Sequence, residues 1–109
     1  MEVILTEIEP MADIEIRTRF SHYVFRITEP KARKGFLSGG RLGAERCEAF
    51  LANIFLPANR RISKADQLEI GYCAVFYLGE SGSRILTTSV ITKLGFAATQ
   101  VIDSSALDC

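Results

Sequence analysis

Between residues 13 and 20, Ile14, Ile16, Thr18 and Phe20 alternate strictly with the charged Asp13, Glu15, Arg17 and Arg19. A period of two belongs to a strand with one face in the core and the other in water. This stretch therefore commits the chain to a β-sheet, whatever else it contains. Tyr23, Phe25 and Ile27 carry the alternation past Ser21 and His22, which predicts a hairpin bending at those two residues, or one long bent strand. In the hairpin, Arg26 joins Glu15, Arg17 and Arg19 on the outer face.

Residues 68–78 form the strongest β segment. Ile70, Tyr72, Ala74, Phe76 and Leu78 share one face, and Cys73, Val75 and Tyr77 share the other. A strand apolar on both sides belongs inside a sheet. The glycines and serines of 79–83 read as a hairpin loop. The following run, 84–94, is rich in β-branched residues that suit a pleated surface, with Leu86, Val90 and Leu94 on one face. A short strand is expected at 97–102, before a polar tail at 103–109. Residues 1–10 are an extension or an edge strand.

One segment departs from the β pattern. Cys47, Phe50, Leu51 and Ile54 fall at i, i+3, i+4 and i+7, the apolar stripe of an amphipathic helix, and Pro57 supplies a stop. The expected fold is thus α+β: a mainly antiparallel sheet of about 4–6 strands with one principal helix, at about 42–56, packed on it. A small curled β-barrel capped by that helix is the alternative. With 109 residues, residues 1–109 make a single domain.

Composition narrows the function classes. Hydrophobic residues make up 48% of the chain, and 13 Lys plus Arg balance 13 Asp plus Glu, so a folded protein without a global field toward nucleic acid or membrane is expected. No apolar run approaches the roughly 18–20 residues of a membrane span, and the N-terminal MEVILTEIEP carries acids where a signal peptide carries bases. A cytoplasmic protein with no membrane partner follows. Cys47, Cys73 and Cys109 are widely spaced with no CxxC pair, so neither a disulfide framework nor a metal site is expected, and no cofactor is implied. Cys47 and Cys73 read as small buried hydrophobes.

Catalysis finds little support. His22 is the only histidine; beside Ser21 it forms no nucleophile and base pair, because neighbouring strand side chains point to opposite faces. The carboxylate pairs Glu7 and Glu9, Asp13 and Glu15, and Glu45 and Glu48 have the spacing of solvated faces. The reading leans away from an enzyme and toward binding.

Two binding readings compete. In EPKARKGFLSGGRLG, residues 29–43, the cations Lys31, Arg33, Lys34 and Arg41 bracket Gly39 and Gly40 ahead of the expected helix. Such a loop would cradle phosphate or nucleic acid at a helix N-terminus. Arg60, Arg61 and Lys64 form a secondary basic cluster beyond that helix. Alternatively, one helix covers only one side of a sheet, which leaves Cys73, Val75 and Tyr77 as an interface for a protein partner or a homodimer. The neutral net charge favours this second reading: a small non-enzymatic binding or accessory protein acting through protein–protein interaction or self-association, as an inhibitor or regulator for example. Nucleic-acid or phosphate-ligand binding through 31–43 is the alternative.

Overall fold

The computed structural model describes residues 2–59, 61–62 and 66–96. Ten strands run in chain order: β1 (Glu2–Ile4), β2 (Ala12–Thr18), β3 (His22–Glu29), β4 (Lys34–Gly39), β5 (Cys47–Leu56), β6 (Arg61–Ile62), β7 (Gln67–Glu69), β8 (Cys73–Leu78), β9 (Arg84–Thr87) and β10 (Ile91–Phe96). All pairings are antiparallel. The main sheet has the order β10-β2-β3-β4-β5-β8-β9 with β6 added to β5, and β1 and β7 form a second, two-stranded sheet. Of the described residues, strand accounts for 60% and 3-10 helix for 10%.

The antiparallel sheet is as expected; the principal helix at 42–56 is not there. Residues Gly40–Leu42 make one 3-10 turn, and Cys47–Leu56 is the longest strand, with 10 residues. The reason lies at Ala52. Leu51 pairs with Phe76 and Asn53 with Val75, so Ala52 is an extra residue on its strand, a β-bulge. Ala49 and Leu51 point inward two residues apart; across the bulge the next buried residue is Ile54, a step of three. That step imitates helical spacing, while Phe50, Ile54 and Phe55 carry the propensity of a strand. Among the described residues no helix is long and apolar enough to cross a membrane.

The barrel alternative also needs correction: the sheet is curled but not closed, and among the described residues no helix caps it. Curling brings Phe25 of β3 against Phe76 of β8, edge to face, with ring centroids 5.2 Å apart. Tyr23, Ile14, Ile16, Leu37, Leu51 and Ile54 are fully buried with them. The edges of the sheet, β9 and β10, are consecutive in the chain. Residues 88–90 carry the chain from β9, beside β8, to β10, beside β2: the Thr88 N–H donates to the Ala74 carbonyl and the Arg19 N–H to the Val90 carbonyl, both at 2.9 Å. The expected run 84–94 is therefore two strands. Likewise 68–78 divides at Gly71, whose φ of 95° ends β7 before β8.

The first hairpin bends one step earlier than expected. Thr18 donates its N–H to the Ser21 carbonyl at 2.8 Å, and its Oγ1 accepts from the Ser21 N–H at 3.0 Å. Arg19 and Phe20 thus form the tip, and Phe20, expected in the core, is 81% exposed. The expected strand at 97–102 and the tail 103–109, with Cys109, lie outside the described residues.

Candidate functional site

The basic glycine segment becomes β4 and its two flanks. Lys31 sits in the 3-10 turn Pro30–Ala32, Arg33 follows it, and Lys34 begins the strand, whereas Gly39 ends it and Gly40 and Arg41 form the next turn. Six strand residues at about 3.3 Å each hold these two groups roughly 20 Å apart. Arg33 is already engaged: its Nε donates to the Leu51 carbonyl at 3.1 Å, and its guanidinium lies 4.8 Å from the Phe50 ring centroid. Arg41 donates to the Thr87 carbonyl.

The glycines have a packing role. At Gly40, with φ of 48°, a Cβ would lie 2.4 Å from the Tyr23 ring; at Gly39, with φ of 92°, it would lie 2.4 Å from the His22 carbonyl oxygen. Only glycine lets the end of β4 lie so close to β3. Of the secondary cluster, Arg60 and Lys64 are outside the described residues and Arg61 belongs to β6. Of the expected interface residues, Cys73 is buried, Val75 is half-buried and Tyr77 is 37% exposed.

The outer face of the sheet assembles what sequence reasoning did not. Lys34 pairs with Phe50, Phe50 with Tyr77 and Tyr77 with Ile85, so a single row crosses β4, β5, β8 and β9. A second row runs Asp13, Arg26, Phe36, Glu48 across β2 to β5. Facing residues in such rows touch one another, and Phe50 and Tyr77 do so with ring centroids 6.1 Å apart. Phe36 is 36% exposed and Ile85 65%. Phe36 was hidden in the sequence by its glycine neighbours, and Phe50 by the spurious helical stripe. The usable signal was the alternation of Gly35 and Leu37 with Phe36 and Ser38.

Two grooves flank Phe36. One, of about 210 Å³, is lined by Asp13, Val24, Arg26, Ser38 and Arg46 as well as Phe36. Within it Arg26 clamps Asp13 in a two-pronged ion pair, Nε to Oδ1 at 2.6 Å and Nη2 to Oδ2 at 2.9 Å. The hydrogen bonds from Arg26 hold the Asp13 carboxyl below its ordinary pKa, against the opposing effect of burial. Arg46 lies over the Phe36 ring, 5.5 Å from its centroid. The other groove, of about 240 Å³, runs between Phe36 and Phe50 and carries Glu29, Lys34, Glu48 and Glu80.

For covalent chemistry the face offers little. His22 Nε2 lies 3.9 Å from Glu15 Oε1, with both side chains largely in solvent, and no group of three or more His, Cys, Asp or Glu among the described residues is placed to hold a metal. The arrangement of aromatic rings, guanidinium groups and carboxylates suits non-covalent recognition. The chain matches no family model, no curated protein and no solved structure.

Proposed function

We propose that this chain is a protein-binding module whose contact surface is the outer face of β4, β5, β8 and β9. One observation carries the reading: Phe36, Phe50, Tyr77 and Ile85 project from adjacent strands on the side of the sheet away from the core. Aromatic rings bordered by arginine are the composition of a protein interface centre. Arg33, held by Phe50 and the Leu51 carbonyl, is pre-positioned there at little entropic cost. The same surface supports an accessory or regulatory role.

The nucleic-acid alternative fits this face less well. Rings on a sheet do stack on bases, but Glu29, Glu48 and Glu80 line the groove between Phe36 and Phe50 and outnumber its cations, Lys34 and the Arg33 that lies over Phe50. Their charge repels a phosphate backbone.

The test is affinity purification, after chemical cross-linking in the cell, of tagged chain co-expressed with an untagged copy, in wild-type form and as the double variant Phe36→Ser/Tyr77→Ser. Protein and nucleic acid in the eluate are both quantified. The wild type is expected to retain a stoichiometric protein, the untagged copy included, and the variant to lose it while unfolding cooperatively. Equal retention by both, or recovery of nucleic acid alone from the wild type, overturns the proposal.

A further inference from the structure

We infer that the partner seated on this face is a second copy of the same chain, related by a two-fold axis over Phe36; the inference rests on the binding role proposed above. Phe36 is the ridge between two grooves of opposite character. On one side two guanidinium groups, Arg26 and Arg46, face one carboxylate, Asp13, and the Arg26 and Asp13 charges cancel in their ion pair. Arg46 is left as the net cation. On the other side three carboxylates, Glu29, Glu48 and Glu80, face two cations, Lys34 in the groove and Arg33 over the Phe50 ring, which leaves one net negative charge. The face is bipolar about its own centre.

A two-fold interface must be self-complementary, because each patch meets its own copy in reverse. An axis lying between two facing sheets, over Phe36 and at right angles to the line joining the grooves, superposes the cationic groove of one copy on the acidic groove of the other, twice. Phe36 then packs on Phe36 at the axis. Arg46 already leans over the Phe36 ring, and Glu48 is the cross-strand neighbour of Phe36. Strands lie about 4.8 Å apart and facing sheets about 10 Å apart, so the long side chains that line the two grooves reach across the interface. A foreign partner would need this same reversed pattern; a second copy has it by construction. The equal numbers of acids and bases, 13 and 13, remove the long-range repulsion that opposes self-association.

Since Phe36 and Tyr77 are already about two-thirds buried within the monomer, at 36% and 37% exposure, the dimer is a weak one, of micromolar dissociation constant. Sedimentation equilibrium of the purified full chain, from about 10 µM to 1 mM, measures it. The expected result is a monomer–dimer equilibrium for the wild type and at least a tenfold weaker one for both Arg46→Glu and Glu48→Arg. An equimolar mixture of the two variants restores dimer at wild-type strength, because the exchanged charges meet again across the axis. Thermal unfolding of both variants confirms that the exposed substitutions leave the fold intact. A wild type that stays monomeric to 1 mM, single variants that dimerise unimpaired, or a mixture that does not recover overturns the inference. A monomeric wild type that still retains a different stoichiometric protein through Phe36 and Tyr77 leaves the binding role standing and removes only the second copy as its partner.

Discussion

Deleting Ala52 separates a bulged strand from a helix at residues 47–56. In the strand, Ala52 is the unpaired extra residue between the Leu51 to Phe76 and Asn53 to Val75 pairs. Removing it closes the ladder into regular register, and Ile54, now two positions after Leu51, still points inward. Leu51 and Ile54, both fully buried, keep their places. The loss is part of one methyl group and the local twist that the bulge supplies, below about 2 kcal/mol in total. In a helix, the same deletion rotates everything downstream by about 100° and takes Ile54 off the core face. That forfeits at least what Ile54→Ala forfeits, about 2–5 kcal/mol. Urea denaturation followed by circular dichroism, with m-values compared to verify two-state behaviour, ranks the two variants directly. The deletion should cost clearly less than Ile54→Ala; equal or greater cost refutes the bulge.

Three further expectations are independent of that one. Gly40→Ala places a methyl group against the Tyr23 ring at a left-handed φ and should lower stability by about 1–3 kcal/mol. Gly43→Ala meets no neighbour within 4 Å, but at φ 66° and ψ −140°, a conformation essentially confined to glycine, it should cost about 1–3 kcal/mol through backbone strain alone; thermal melts compare the pair. Asp13→Asn breaks the two-pronged ion pair with Arg26 and should cost about 1–3 kcal/mol at neutral pH. Because Arg26 holds the Asp13 carboxyl below its unfolded value of 3.8, the contribution is complete above that pH and disappears as pH falls through the lower folded value. Stability measured from pH 6 down to about pH 2 should therefore fall less steeply in Asp13→Asn than in the wild type below pH 4. Phe25→Ala empties the edge-to-face contact with Phe76 and should cost about 3–5 kcal/mol, visible as a large drop in the urea midpoint.

Local regularity decided what could be read in advance. β2 and β3 obey strict alternation on a sheet with one wet face, so Ile14, Ile16, Phe25 and Ile27 were legible as core, as were Ala74, Phe76 and Leu78. The loop 79–83 was legible from its glycines and serines. β5 was misread because one inserted residue, Ala52, converts a period of two into a step of three. β4 was missed because Gly35, Gly39 and Gly40 weaken any strand pattern, and their necessity is a tertiary matter: the nearby carbonyls of Arg26 and His22 and the ring of Tyr23. The break at 88–90 was equally hidden, since Thr88 is held by Ala74 and Val90 by Arg19, contacts between segments distant in the chain. Tyr77 was legible as a face residue from the two-sided strand. Phe36 was legible only as a face residue, from its alternation with Gly35 and Leu37, and Arg46 joins the site only by lying over the Phe36 ring, a contact no local window contains.

The central claim is that the outer face around Phe36 joins two copies of this protein, and a dilution series of amide spectra tests it most directly. Uniformly 15N-labelled chain is recorded from about 1 mM to 20 µM, and the shift changes are mapped onto the strands. Changes confined to β4, β5, Asp13, Val24, Arg26, residues 79–80, Tyr77 and Ile85, absent in Arg46→Glu, are the predicted result. Changes centred on β2 and β10, or no change across the series, contradict it.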